Sequence, residues 1–310
     1  MALTLVTGPA NSAKAQVVLE RYRAALPREP ILVVPRAADA EHYRRELADS
    51  GTVLGVRVEP FGGLMREIAE RSGLAERRLG ERGREALAAG AASTTPLQAL
   101  ARMARSPAFP AALVRFVAGL EARRVSPQRL TAALRGWAPE GTRRRAYAED
   151  LAALYGAYRR RLERTGRLDA ELHALASLDA LILEPLRWRG TPVFLYGFDD
   201  LTPLQLDVVE TLARRVGAAV VVSLPGEPGR VALAGRAATL EALRPLADEL
   251  IELEAQAGYY EEPLLHHLER ALFEPGAERP RPGRALRLLE GGDRQAEAEL
   301  VALEIGALLE

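Results

Sequence analysis

The sequence predicts an α/β protein in which a parallel sheet flanked by helices carries an all-helical inserted subdomain. Apolar stretches typical of buried strands alternate with helical stretches over residues 3–71 and again from residue 191 onwards. Between them, residues 72–183 show helical periodicity and no convincing strand. The hydrophobic share of 48% over 310 residues is enough for a sizeable core.

The individual elements follow from periodicity and from Gly and Pro punctuation. Strands are predicted at 3–7, 31–34, 53–58, 193–196, 218–224 and 285–290. Helices are predicted at 13–26, 38–48, 64–71, 110–122, 127–134, 142–165, 202–216, 237–256, 262–272 and 294–309. Tyr147, Leu151, Leu154, Tyr155, Tyr158 and Leu162 are the predicted apolar stripe of the helix over 142–165. The last helix ends without a capping residue, so we expect a longer parent protein.

The first strand runs into a turn similar to the phosphate-binding pattern G-x-x-x-x-G-K-[ST]. Gly8 and Lys14 have the required spacing, but Ala13 replaces the second glycine and Ala15 replaces the hydroxyl residue. Lys14 is the only lysine among 42 basic residues, and a compact ammonium is not equivalent to a guanidinium beside a phosphate. The candidate nucleotide-binding residues are Gly8, Asn11, Ser12, Ala13, Lys14 and Ala15.

Nucleotide hydrolysis also needs a hydroxyl for Mg²⁺ and an acidic pair at the end of a later strand. Ala15 has no hydroxyl, and Gly197-Phe198 stand where the acidic pair is expected. Asp199 and Asp200 follow at the start of a loop and are weak candidates for metal binding. The sequence therefore predicts no catalytic residue and no required cofactor. Lys14 could still hold ATP without hydrolysis, or the turn could merely connect strand to helix.

Composition excludes several other classes of function. Without cysteine there are no disulfides, thiolate metal sites or cysteine nucleophiles, and the four histidines have no metal-ligand spacing. No uninterrupted apolar stretch has the length of about 18 residues that a membrane-spanning helix needs. A cytoplasmic protein without a membrane partner is the expectation.

Basic charge is concentrated in the middle of the chain. Residues 62–167 contain 21 Arg and 10 Asp or Glu, a net charge of +11, whereas the whole chain has a net charge of zero. Such a segment suggests a surface for a polyanion, although arginine-rich helices can also simply be solvated. The candidate DNA-binding residues are the triplets Arg143, Arg144, Arg145 and Arg159, Arg160, Arg161, together with Arg36 and Phe61 at strand ends.

Five segments, taken in order with the degenerate phosphate loop, carry a family resemblance. They are ILVVP at 31–35, VEPFGGL at 58–64, FLYGFDDLTPLQ at 194–205, VSLPGE at 222–227 and GDRQAEAE at 292–299. With this pattern the chain resembles the N-terminal part of AddB-type subunits of bacterial ATP-dependent helicase–nuclease complexes, which are related to UvrD/Rep helicases.

The resemblance implies a RecA-like P-loop NTPase domain formed by residues 1–71 and 184–260. A helical basic insertion would occupy 72–183, and a linker with the start of a further domain would occupy 261–310. It also implies an inactivated helicase subunit that holds single-stranded DNA beside an active helicase subunit during double-strand break repair and recombination. Two alternatives remain: an active ATP-dependent motor that uses Asp199 or Asp200, and a protein-interaction scaffold without DNA contact.

Overall fold

A computed structural model of the chain describes residues 3–49, 55–74, 77–281, 283 and 285–309. The strands are β1 (Leu3–Gly8), β2 (Ile31–Val34), β3 (Arg57–Pro60), β4 (Val193–Leu195), β5 (Val220–Pro225) and β6 (Glu249–Glu252). The helices are α1 (Lys14–Ala24), α2 (Ala37–Asp49), α3 (Phe61–Ser72), α4 (Glu81–Thr94), α5 (Phe109–Glu121), α6 (Pro127–Trp137), α7 (Arg143–Thr165), α8 (Ala170–Leu183), α9 (Pro203–Glu210), α10 (Ala237–Leu243), α11 (Pro263–Ala271) and α12 (Arg294–Leu309).

The strands form one sheet in the order β3-β2-β4-β5-β1-β6, and every pairing between described strands is parallel. Parallel neighbours need crossover connections, which the helices provide. All residues of β1, β2 and β4 are buried, which explains why these strands consist largely of apolar residues. The predicted parallel sheet flanked by helices is confirmed.

Hydrophobic side chains cover both faces of the sheet. On one face α3, α8 and α9 contribute the fully buried residues Ile68, Leu181 and Val208. On the other face Val18 and Tyr22 of α1 pack with residues of α2. No described helix combines the length and the apolarity that crossing a bilayer requires.

The helices α4, α5, α6 and α7 form a second layer with its own core. Ala88, Val117, Leu130 and Leu154 belong to this core. The predicted stripe of α7 is buried from Leu154 to Leu162, but the prediction was wrong for Tyr147, which is 41% exposed. Tyr147 lies in the first turns of α7, where neighbouring arginines keep the surface solvated.

The helical layer is joined to the sheet layer through α8 and α9. Although α8 falls inside the predicted insertion, its buried side chains belong to the core beneath the sheet. The backbone amide of Leu204 donates to the carbonyl of Ala122 over 3.3 Å. Arg124 and Asp207 add an ion pair at 2.5 Å. These contacts attach the end of α5 to the start of α9.

The structure corrects three predicted elements. The predicted helix at 237–256 was wrong beyond Leu243, because β6 pairs with β1 over Glu249–Glu252. Pro245, which cannot donate to a helical hydrogen bond, lies where that helix ends. The predicted strand at 285–290 was also wrong, because these residues form no strand. Of the predicted strand at 53–58, residues 53 and 54 lie outside the described residues, and β3 begins only at Arg57.

Candidate functional site

The predicted site residues occupy two separate places. Because the paired strands are parallel, the residues that follow them lie at one edge of the sheet, here called the carboxyl edge. It contains the turn after β1, Arg36 after β2, Phe61 after β3 and the Asp199-Asp200 pair after β4. The arginine triplets of α7 lie in the helical layer instead.

The turn after β1 leads into the uncapped N-terminus of α1. Asn11 and Ala13 adopt left-handed backbone angles, with φ values of 52° and 61°. Ala13 precedes α1, whose first turn has no side-chain cap and no acidic residue. The backbone amides in the first turn of α1 and the positive end of its helix dipole favour an anion. Ala13 pays a steric penalty of about 1 kcal/mol that glycine at this position of the pattern avoids.

The ammonium of Lys14 is held by the turn itself. Its Nζ donates to the carbonyl oxygen of Gly8 over 2.9 Å, to the hydroxyl of Ser12 over 3.0 Å and to the carbonyl oxygen of Pro9. An ammonium has three donors, so these partners use its whole capacity. Burial lowers the pKa of Lys14 to about 8, against the opposing effect of the Glu269 carboxylate. Lys14 thus acts as an internal brace of the turn.

The chain after β6 lies directly over the turn. A Cβ on Gly8 would lie 2.7 Å from the carbonyl oxygen of Leu253, so only glycine allows this approach. The Asn11 side-chain amide donates to the hydroxyl of Tyr260 over 2.7 Å. Glu269, whose charge acts on Lys14, belongs to α11. Residues 253–271 therefore contribute to the surroundings of the candidate nucleotide site, which the sequence did not indicate.

The two aspartates after β4 are engaged in other contacts. Asp200 Oδ1 accepts hydrogen bonds from the backbone amide of Leu201 over 2.9 Å and from the hydroxyl of Thr239. Asp199 pairs with Arg236 over 3.5 Å and is otherwise exposed. Phe198, at the expected acidic position, is buried in the core beneath the sheet. These residues do not fit a site in which Mg²⁺ and a nucleotide are bound for hydrolysis.

Arg36 and Phe61 have different surroundings at the carboxyl edge. The Arg36 side chain is exposed and forms a loose ion pair with Asp39 at 3.5 Å. Phe61 is half-buried and lines a cavity of about 560 Å³ between α3, α8 and the start of α9. Only Arg36 is therefore freely available to a backbone phosphate.

The six arginines of the two α7 triplets do not form one exposed surface. Arg143, Arg144 and Arg160 are exposed. The others bind within the protein: Arg145 to Glu149 over 2.8 Å, Arg159 to the buried Glu121 over 2.9 Å, and Arg161 to the Thr94 hydroxyl over 3.0 Å. Half of the predicted set therefore has a structural contact that the sequence pattern did not reveal.

A buried carboxylate cluster lies between the helical layer and α8, and sequence reasoning missed it. Carboxylate oxygens of Glu121, Asp169 and Glu171 all lie within 4.8 Å of one another. One oxygen of Glu121 and one of Asp169 have no hydrogen-bond partner among the described residues. Burial is the largest cause of the raised pKa of Glu121, and the neighbouring Asp169 raises it further.

Arginines neutralise much of this cluster. Arg84 pairs with Glu171 at 3.0 Å, and Arg159 pairs with Glu121. Two cations against three carboxylates leave one negative charge, which a proton on Glu121 would cancel, in line with the raised pKa of that carboxyl. The cluster is thus suited to a proton better than to a divalent metal ion. Its members come from the end of α5 and the start of α8, about 50 residues apart in sequence, so no local spacing could identify it.

Comparisons with known proteins agree with this architecture. The family model described as "ADDB, N-terminal" matches residues 5–269. An ATP-dependent helicase/deoxyribonuclease subunit of Moorella thermoacetica is 31% identical to this chain over 337 residues. That alignment covers 98% of the chain but 29% of the relative, so the chain spans less than a third of that protein's length. On these matches, the chain belongs to the AddB N-terminal family.

Proposed function

We propose that this chain is a catalytically silent, helicase-like region that binds single-stranded DNA and serves as a scaffold in a helicase–nuclease complex. Membership of the AddB N-terminal family supports this assignment, as does a parallel sheet with a phosphate-loop-like turn after β1. The domain would be a degenerate RecA-like motor domain carrying a helical insertion. Its complex would process double-strand breaks for recombination in the cytoplasm.

One observation carries the catalytic silence: no carboxylate stands at the acidic position after β4, where Phe198 is buried instead. Ala15 adds no hydroxyl for a metal ion, and Asp199 and Asp200 are bound to Arg236 and Thr239. Without these ligands the developing charge of a phosphoryl transfer has no metal ion to stabilise it.

Nucleotide binding is a separate question from hydrolysis. The uncapped start of α1 offers backbone amides to a phosphate. Lys14 would have to release the carbonyl oxygens of Gly8 and Pro9 before it could contact that phosphate. Binding of ATP without hydrolysis is therefore compatible with the turn, and no cofactor is required for the proposed scaffold role.

The proposed partners are single-stranded DNA and an active helicase subunit. The net charge of +11 over residues 62–167 favours a polyanion. Arg36, Arg143, Arg144 and Arg160 are the predicted contacts with exposed side chains. Family membership favours DNA over an acidic protein surface, and this distinguishes the proposal from a pure protein-interaction scaffold.

Salt-dependent DNA binding tests the proposal. Fluorescence anisotropy of a labelled oligothymidylate should show binding at 50 mM NaCl that weakens steeply at 200 mM, because phosphate contacts release counterions. A chain that binds no oligonucleotide at low salt, yet cross-links to a partner helicase subunit through α7, would replace the DNA-binding proposal with the scaffold alternative.

A further inference from the structure

The chain contains two tryptophans, and each has an arginine over its ring. Trp188 is fully buried, and the guanidinium of Arg71 lies 4.6 Å from its ring centroid. Trp137 is 51% exposed, and the guanidinium of Arg144 lies 4.9 Å from its ring centroid. The first pair fills the core. The second pair is at the surface, at the junction of α6 and α7.

Hydrogen bonds of Thr142 and Arg145 hold the junction between α6 and α7. Thr142 caps α7 by accepting a hydrogen bond from the backbone amide of Arg145 over 3.1 Å. The Arg145 guanidinium donates to the carbonyl oxygens of Arg135 and Ala138 over 3.4 and 3.3 Å. Ala138, directly after Trp137, is buried. These contacts order the backbone on both sides of Trp137, whose half-exposed ring contacts the guanidinium of Arg144.

The surroundings of Trp137 are basic and partly aromatic. Residues 135–147 contain four Arg and one Glu, a net charge of +3. Arg135, Arg143 and Arg144 are exposed, and Tyr147 lies one turn after Arg143 on the same side of α7. Planar aromatic and guanidinium groups beside positive charge are the combination that binds unpaired nucleotides, because every base has a face for stacking and every linkage carries a phosphate.

We propose that Trp137 and Arg144 form a stacking platform for an unpaired base, with Arg143 on a neighbouring phosphate. This inference rests on the proposed function and adds a site to it. Base stacking on one aromatic ring contributes enough to change affinity about 5- to 140-fold. An acidic protein segment would use the same charges but would not need the face of the ring.

Intrinsic fluorescence of the purified chain tests the platform, because only one of the two tryptophans is accessible to a base. Titration with oligothymidylate should quench the emission of Trp137, whereas the Trp137→Phe variant, which keeps only the buried Trp188, should show no quenching. Anisotropy with labelled oligothymidylate measures affinity independently. Trp137→Ala should weaken binding about tenfold, and Trp137→Phe should retain most of it.

Two controls make the outcomes distinct. Thermal unfolding of Trp137→Ala should match the wild type, since the ring is half exposed, so a loss of affinity is not a loss of fold. An abasic oligonucleotide of equal length should bind the wild type and Trp137→Ala equally. Normal oligothymidylate binding by Trp137→Ala without quenching in the wild type would overturn the platform and leave the proposed function standing. Absence of any oligonucleotide binding would overturn both.

Discussion

Lys14 shows that a lysine with the spacing of a phosphate-binding pattern can use its donors on the turn that carries it. Its three donors are directed at oxygens of the turn that carries it, two carbonyls and the Ser12 hydroxyl. The spacing to Gly8 and the lack of any other lysine identify this residue from sequence alone. The contacts could not be predicted, because they depend on the left-handed backbone of Asn11 and Ala13.

Replacing Lys14 by Met should destabilise the chain by about 1–2 kcal/mol. The carbonyl oxygens of Gly8 and Pro9 would lose a charged donor, which outweighs relief from burying the ammonium. Urea unfolding followed by circular dichroism measures the change. A variant as stable as the wild type would show that Lys14 does not brace the turn and remains available to a ligand.

The buried carboxyl of Glu121 should make the free energy of unfolding depend on pH. Burial raises the pKa of Glu121 from about 4.5 to about 8, so its contribution is fully present below pH 4.5. It is lost progressively as the pH rises towards 8, because the unfolded chain ionises first. Glu121→Gln should remove this loss. Between pH 5 and pH 8 its free energy of unfolding should rise relative to that of the wild type by on the order of 3 kcal/mol.

Urea unfolding of both proteins at pH 5, 6.5 and 8 measures that difference. The groups around Glu121 that also carry charge or protons are Arg84, Tyr155, Tyr158, Arg159, Asp169 and Glu171. Of these, Arg84 and Arg159 keep their charge over this range, so they do not produce the slope. Parallel stability curves for the variant and the wild type would contradict a raised pKa of Glu121.

At the scale of elements, β6 shows the limit of local patterns. The residues Glu249, Leu250, Ile251 and Glu252 follow good helix formers, so periodicity extends the preceding helix through them. Pairing with β1 determines the outcome, together with the double hydrogen bond between Arg21 and Glu249 at 2.7 Å. The strands β1, β2, β4 and β5 were predictable because burial on both faces makes them largely apolar.

The helix α7 divides its arginines between surface and structure, and paired variants should separate the two roles. Arg143→Ala with Arg144→Ala should reduce the slope of log affinity against log salt by about 0.7, because Arg143 is the proposed phosphate contact and Arg144 stacks on Trp137, and should leave stability nearly unchanged. Arg159→Ala, the matched control on the same helix, should destabilise the chain by about 2 kcal/mol because the buried Glu121 loses its partner.

Anisotropy titrations at several salt concentrations, with thermal unfolding of each variant, measure both effects. If the double variant and Arg159→Ala lost DNA affinity equally and were equally stable, α7 would bind DNA along its whole length. Such a result would require Arg159 to leave Glu121 when DNA binds.

At the scale of the whole molecule, the sheet and the helical layer could be predicted from the sequence, but the junction between them could not. The α/β alternation and the helical segment could be predicted from the sequence in chain order. The junction could not, because Glu121 from α5, Asp169 before α8 and the contact between Leu204 and Ala122 join residues far apart in sequence. The boundaries 72–183 of the insertion therefore remain a prediction, since α8 packs with the sheet layer.

Steady-state ATP turnover, measured with and without single-stranded DNA, tests the central claim of catalytic silence most directly. With Phe198 buried at the acidic position and no hydroxyl at Ala15, we predict no turnover above background. DNA should not stimulate it, and Lys14→Ala should behave like the wild type. ATP turnover that is stimulated by DNA and abolished by Lys14→Ala would contradict catalytic silence and identify an active motor.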